Sequence, residues 1–519
     1  MSLLARNTIF LTVAKFFSVA IYAVFGLALP VFFGDGKADE VGLYTLLSTL
    51  LFFGSMLTSF GIPVLVTRGV ARDPQAAPRL LARGRLGMVL GYALSFVLLL
   101  GWLLLEAQRN DHLQADVFWA EEGRTLLLFA IVMAIVLSDA IGSLGNAIFQ
   151  GYERMGFPAA IEMGTGLLRA GGAFIVLAMA PVEHKLLGIF LCFLAGAALR
   201  AIVLMRGVHR RLLPEAKKET ASIREGWQMV TSSSFVALFR ALRMLRNRMD
   251  VLLIGVLFVS LVPGVAEANT DVARAIYGQA MRVAIIFHTF TFAFNNALFP
   301  RIARLTGANG SRVGAKELYH RAVHWQAFWA VPLAVGVFFF SDVIAGWFGE
   351  KYLMGSVSDG VLHGTGEVLR VLLVAVLLDC LGGPVGFLML GEKSMEKRIP
   401  LLGGMVACTN LVLNLILIPR YGLLGAAYAS VMTAVVEFVV KLWIVSRFYG
   451  SPLPTIWRSI PYYLLAGVMF LGLEWSNAED HWILGALGGA LFYGVACILL
   501  RQVDPAVIHL LKNALGRSR

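Results

Sequence analysis

Eight ionisable side chains lie within stretches of sequence that are long and apolar enough to sit inside a lipid bilayer. Five are cations and three are carboxylates: Lys15, Arg169, Arg243, Arg248 and Arg282, and Asp139, Asp250 and Asp379. A charge in the middle of a membrane helix costs about 2.5–3.5 kcal/mol on insertion scales, so such residues normally face a bundle interior or a hydrated cavity. The excess of cations predicts a cavity that binds an anion, because guanidinium and ammonium groups bind phosphate oxygens.

A structural role is the alternative for these cations. Lys15, Arg169, Arg248 and Arg282 could each form a salt bridge between helices, and the simplest partner for Arg248 is the nearby Asp250. Arg243 lies near the start of its apolar segment, where a long side chain can extend to the lipid headgroups. The sequence leaves both interpretations open.

The carboxylates suggest a second chemistry. Asp139, Asp250 or Asp379 could bind the proton or cation that drives transport, since a carboxylate inside a membrane protein can take up and release a proton near neutral pH. The alternative is that each pairs with a neighbouring helix, Asp139 for example with Arg169 or Arg370. No metal site, cofactor or nucleotide-binding loop is predicted.

The composition requires a membrane. Hydrophobic residues make up 58% of the 519 residues, charged residues only 15%, and the mean hydropathy is +0.76. Charged residues make up about 25% of a soluble domain, so most of this apolar surface must face lipid. The net charge of +12 therefore belongs to membrane loops, and no nucleic-acid partner is expected.

Fourteen segments are long enough to cross a bilayer core of about 30 Å. They lie near 8–33, 41–66, 84–105, 124–149, 158–180, 186–206, 236–262, 271–299, 322–348, 367–390, 398–418, 422–446, 459–474 and 482–500. The strongly basic loops are all even-numbered, so the positive-inside rule places both termini in the cytoplasm. The sequence predicts an all-α polytopic membrane protein.

A six-helix repeat organises the segments. Asp139 and Asp379 lie 240 positions apart, with matching neighbours, and Lys15 lies 233 positions before Arg248. The repeat predicts two pseudo-symmetric six-helix lobes followed by two C-terminal helices, and transporters built from repeats bind substrate between them. The predicted parts are an N-lobe (1–206), a cytoplasmic linker (207–235), a C-lobe (236–447) and the last two helices with a cytoplasmic tail (448–519).

Three stretches of sequence carry a family resemblance. GLYTLLSTLLFFGSMLTSFGIPVLVTRGVARDP (42–74), FQGYERMGFPAAIE (149–162) and LNLILIPRYGLLGAAYAS (413–430) resemble the second span, the exit from the fourth span and the turn between spans eleven and twelve of the bacterial polysaccharide flippases. These belong to the superfamily of multidrug, oligosaccharidyl-lipid and polysaccharide exporters. The third stretch is the most specific, with Asn414, Pro419, Gly422, Gly425 and Ala426 at the family's positions.

The resemblance implies a transporter and not an enzyme. Its cargo would be undecaprenyl-diphosphate-linked oligosaccharide repeat units, moved to the periplasmic leaflet of a bacterial inner membrane by alternating access, with ion or potential coupling. Membrane lipids and the glycan assembly machinery, such as a polymerase, are the expected partners, and we expect a monomer. The alternatives are a lipid II-type flippase, a multidrug antiporter of the same superfamily and a membrane-embedded glycan polymerase or ligase.

Overall fold

The protein is all-helical over the part of the chain that the structure, a computed structural model, describes. That part comprises residues 21–109, 115–214, 219–263, 265, 268–306, 312–391, 398–451 and 453–500. Its helices are α1 (Ile21–Phe33), α2 (Ala38–Ser59), α3 (Ile62–Arg72), α4 (Ala77–Arg109), α5 (Ala115–Gly151), α6 (Gly156–Met179), α7 (Val182–Gly207), α8 (Ile223–Leu257), α9 (Thr270–Thr306), α10 (Arg312–Phe339), α11 (Ser341–Gly346), α12 (Glu350–Met354), α13 (Thr365–Gly391), α14 (Arg398–Tyr449), α15 (Leu453–Trp475) and α16 (Trp482–Leu499).

The described helices overlap each of the fourteen predicted spans. In the described ranges, ten helical stretches are long and apolar enough to cross a membrane, and the stretch within α14 covers two predicted spans. The remaining three predictions correspond to α1, of which Ile21–Phe33 is described, and to α8 and α9, which are rich in polar and charged residues. The polytopic all-α fold is confirmed.

A glycine turn divides α14. Gly422 has φ 58° and ψ −130° inside an otherwise helical run of 52 residues, a backbone conformation that residues with a Cβ rarely adopt. A Cβ on Gly425 would overlap the carbonyl of Leu417, so the two arms of the turn meet backbone to backbone. The turn lies in the 413–430 stretch, at the predicted junction of spans eleven and twelve.

The helices pack into two compact units. Unit 1 contains the chain up to Arg282 together with Ser356–Leu362 and Gly403–Ala426; unit 2 contains Val283–Gly355, His363–Leu402 and the chain from Ala427 onwards. The core of unit 1 includes Ile62 and Val66 of α3 packed with Leu144 of α5. In unit 2, buried residues of α10 pack against α15. The lobe boundaries drawn from the sequence repeat stay a prediction.

Candidate functional site

Asp139 is the centre of an ion network inside unit 1. It lies on α5, and Arg169 of α6 donates from Nη2 to its Oδ1 at 2.7 Å. Arg200 of α7 donates to the same oxygen at 3.3 Å, and its other terminal nitrogen reaches Glu162 at 3.3 Å. Two guanidinium groups thus meet two carboxylates, and the network is balanced in charge.

Small residues on the neighbouring helices leave room for this network. A Cβ on Gly196 of α7 would overlap the Arg169 side chain, and a Cβ on Gly142 of α5 would lie 3.5 Å from the Arg200 guanidinium. The side chains of Arg169 and Arg200 are 16% and 13% exposed, and Asp139 is 21% exposed. The alternative left open for Arg169, an ion pair with Asp139, is therefore what the structure contains.

Arg282 has a different environment, made of α2 and α1. Its Nη2 donates to Oγ1 of Thr45 at 2.8 Å, and its guanidinium lies 5.5 Å from the centre of the Tyr44 ring. A Cβ on Gly26 of α1 would come within 2.9 Å of the Arg282 Cδ. The aliphatic part of the Arg282 side chain therefore packs against α1 at Gly26, and its guanidinium group reaches α2.

Arg248 of α8 also lies against α2. Its guanidinium is 5.7 Å from the centre of the Phe52 ring, within the distance at which a cation is attracted to an aromatic face. Within the residues that the structure describes, no carboxylate lies within ion-pair distance of Arg248. The pair with Asp250 that the sequence left open does not form, so no described carboxylate compensates the charge of Arg248.

Asp250 accepts hydrogen bonds from two neutral donors. The hydroxyl of Tyr277 donates to its Oδ2 at 2.7 Å, and the amide of Asn414 donates to its Oδ1 at 2.8 Å. Only 2% of the residue is exposed. Asp250 thus joins α8, α9 and the first arm of α14. Asn414, at one of the family's positions in the 413–430 stretch, has a structural role as a donor to Asp250.

Asp379 is the predicted ion-coupling carboxylate that lies in unit 2. It lies on α13, its side chain is 14% exposed, and its Oδ2 is 3.8 Å from Nε2 of His288 on α9. Histidine changes its charge near neutral pH more readily than any other side chain. The pair therefore has the chemistry of a proton-responsive group.

Two predicted cations are not placed. Lys15 lies outside the described residues, and of Arg243 the structure gives the helical backbone alone. Sequence reasoning missed Arg200, although a cation within the predicted sixth span is the same signal that identified Arg169. It also missed Tyr44 and Thr45, for which a membrane helix rich in Thr and aromatic residues offers no specific signal.

A match over the first three hundred residues shows the family to which this chain belongs. A family model described as "Polysaccharide biosynthesis protein" matches residues 4–306, more than half of the chain. The chain belongs to this family. The matched region contains the whole of the Asp139 network and both Arg248 and Arg282.

A full-length relative comes from the archaeon Haloferax volcanii. It is described as the "Probable low-salt glycan biosynthesis flippase Agl15" and is 21% identical over 508 residues, which cover 96% of this chain and 97% of the relative. A shorter match, 24% identical over 169 residues, is an uncharacterized membrane protein, MJ1068, of Methanocaldococcus jannaschii; it covers 32% of this chain and 31% of that protein.

Solved structures share the fold. The lipid II flippase MurJ in an inward closed conformation superposes with a TM-score of 0.71 at 14% identity, covering 95% of this chain and 99% of MurJ. An inward-facing multidrug resistance transporter of the MATE family gives a TM-score of 0.55 at 13% identity, covering 83% and 95%. This member of the polysaccharide biosynthesis family therefore has a flippase and transporter fold.

Proposed function

We propose that the protein moves lipid-linked oligosaccharides from the cytoplasmic to the outer leaflet of a bacterial inner membrane by alternating access. The cargo we propose is an undecaprenyl-diphosphate-linked repeat unit, and both termini lie in the cytoplasm. Support comes from the family, from the similarity to the Haloferax relative described as a glycan biosynthesis flippase, and from the fold shared with MurJ.

The observation that carries the proposal is the charge of Arg248. An arginine in the membrane domain normally gains a carboxylate partner, as Arg169 does, because an uncompensated charge there is costly. Arg248 has none among the described residues and lies over the Phe52 ring. A ligand that supplies the missing negative charge explains why the sequence keeps such a residue.

The neighbours of Arg248 fit a sugar diphosphate. The Arg282 guanidinium lies over the ring of Tyr44 on α2, and that of Arg248 lies over the ring of Phe52 on the same helix. Two guanidinium groups can bind the oxygens of a diphosphate, and aromatic faces suit the apolar faces of sugars and the start of a prenyl chain. We assign binding of the diphosphate headgroup to Arg248 and Arg282, with Lys15 and Arg243 as further contacts.

Arg169 contributes less directly in this proposal, because Asp139 already compensates its charge. Ion coupling is assigned to Asp379 before Asp139 or Asp250, since Asp379 lies beside a titratable histidine. A multidrug antiporter is the weaker alternative, because cationic cargo requires an excess of carboxylates where this site has an excess of arginine.

The test is surface-glycan output in a strain that depends on this chain. We expect Arg248→Ala and Arg282→Ala each to lower surface glycan at least tenfold and to accumulate the lipid-linked precursor, with normal amounts of protein in the membrane. Arg321→Ala is the matched control, because Arg321 is 62% exposed and pairs only with Glu317 among the described residues. It should leave output unchanged.

Three results would decide against the proposal. Normal glycan output in both arginine variants would remove the anion site. Rescue of a strain lacking its lipid II flippase, without any effect on surface glycan, would reassign the cargo. Joining of repeat units by the purified protein would make it a polymerase or ligase.

A further inference from the structure

Arg274 at the start of α9 is the bulkiest fully buried side chain in the described part of the chain. Its Nη1 donates to Oδ1 of Asp271 at 2.8 Å, and its Nη2 donates to Oε1 of Glu106 at the end of α4. The Arg274 side chain is 1% exposed and that of Glu106 is 7% exposed. This ion cluster lies where α4 ends and α9 begins, the side that the loop charges predict to be outside the cell.

The cluster joins the two sequence repeats within unit 1. Glu106 belongs to the first six predicted spans, whereas Arg274 belongs to the second six. The same face of α9 continues inward, because Gly278 and Arg282 follow Arg274 at helical spacing and both lie close to Thr45 of α2. We call this line of contacts, from Asp271 to Arg282, the outer seam.

Three glycines allow the outer seam to close. A Cβ on Gly255 of α8 would overlap the Arg274 guanidinium, and a Cβ on Gly42 of α2 would overlap the carbonyl of Asp271. A Cβ on Gly278 would come within 2.9 Å of the Thr45 side chain. Even a methyl group on these residues would therefore push the helices apart.

The pairing of Glu106 with Arg274 is incomplete. Oε2 of Glu106 and Nε of Arg274 are both buried and have no hydrogen-bond partner among the described residues. Burying an ion pair costs desolvation that its attraction only partly offsets, and each unsatisfied polar atom adds to that cost. If the outer seam opened to water, both groups would recover full hydration. Opening the seam therefore costs little free energy.

We propose that the Glu106–Arg274 pair is the outer latch of the transport cycle, closed in this conformation and broken when the protein opens outward. The inference rests on the proposed alternating access, since only a cycle of that kind requires contacts between the repeats to break. An apolar seam of the same size would resist opening more strongly, because hydration of apolar surface is unfavourable.

The experiment measures access to the seam from outside the cell. Thr49 is fully buried on α2, one turn beyond Thr45, and Thr49→Cys in a full-length background without the four native cysteines provides a nearly isosteric probe. We expect Glu106→Gln and Arg274→Gln each to raise labelling by a membrane-impermeant maleimide at least fivefold.

Glu40→Gln is the matched control. Glu40 is also a buried carboxylate near the predicted outer surface and binds Arg124 at 2.7 Å, but that pair joins α2 to α5 within the first repeat. Its loss should leave labelling unchanged. Gly255→Ala opens the seam without removing a charge, and should raise labelling even if the charge variants fold poorly.

Unchanged labelling in Gly255→Ala and in either folded charge variant would overturn the latch, as would an equal rise in Glu40→Gln. The assay needs no glycan, so its outcome is separable from the proposed function. Glycan loss in Arg248→Ala with unchanged labelling in the latch variants would contradict the latch and leave the proposed function standing. Normal glycan output in Arg248→Ala with raised labelling in those variants would contradict the proposed cargo and leave the latch standing.

Discussion

Half-buried arginines of unit 1 fall into two groups that differ in how their charge is compensated. Arg169 and Arg200 share the carboxylates of Asp139 and Glu162 on neighbouring helices. Arg248 lies over an aromatic ring, with no described carboxylate within ion-pair distance. Sequence position alone made Arg169 and Arg248 equivalent, and their partners separate a structural arginine from a candidate ligand-binding arginine.

The difference follows from the cost of charge inside a membrane protein. A compensated arginine stabilises the fold only while its partner is present, so the pair acts as one structural unit. An uncompensated arginine lowers stability and is kept where function needs it. Mutation of the two groups should therefore change stability in opposite directions, and loss of the uncompensated arginine should abolish transport.

The largest expected effect is on the compensated group. Arg169→Ala should lower the free energy of unfolding by about 3 kcal/mol, the low end for breaking a buried pair, because Arg200 still contacts Asp139. Thermal unfolding in detergent is measurable with a thiol-reactive dye, since Cys380 and Cys497 are buried thiols. A Cys408→Ser background removes the exposed cysteine.

Two further variants make that test specific. Asp139→Asn combined with Arg169→Gln removes both charges and should recover most of the lost stability. Arg248→Leu should leave the unfolding temperature unchanged or raise it, while abolishing transport. If Arg248→Leu were as destabilised as Arg169→Ala, the distinction between the two groups would be wrong.

A smaller effect is expected at Asp250, which accepts hydrogen bonds from Tyr277 and Asn414. Asn414→Ala removes one of the two described donors and should cost about 1–3 kcal/mol, the usual penalty for leaving a buried acceptor unsatisfied. The same dye assay measures it. Asn410→Ala is the control, because Asn410 is equally buried one turn earlier but contacts Asn414 and not Asp250 among the described residues. Equal losses in both variants would argue against a specific role for the Asp250 contact.

Hydropathy predicted the helices well, since a span is a local property of about 20 residues. The glycine turn in α14 was also visible, because Gly422 lies in a local motif. Apart from the Arg169–Asp139 pair, which was one of the alternatives left open, the partners of the ionisable residues were not. Arg200 is 61 positions from Asp139, and Arg274 is 168 positions from Glu106. Such pairs depend on which helix faces meet, and helix packing admits several arrangements for the same hydrophobic pattern.

The ion cluster around Glu225 lies outside the predicted spans. Of the charge clusters compared, it should contribute least to stability. Glu225 in the first turn of α8 accepts from Arg83 at 2.9 Å and from the backbone N–H of Ser222 at 3.0 Å. The Ser222 backbone bond first, and the Arg83 bond second, lower the pKa of the Glu225 carboxyl from 4.5 to about 2. Water and salt screen charges in such a position.

Glu225→Gln should therefore lower the unfolding temperature only slightly, and the difference from the parent protein should shrink in about 1 M salt, where the Debye length is about 3 Å. Because the folded pKa is depressed, the contribution is complete above pH 4.5 and is lost as the pH falls towards about 2. Unfolding temperatures of both proteins across that range provide the measurement. A large, salt-independent loss would mean that compensation of charge matters as much outside the membrane as within it.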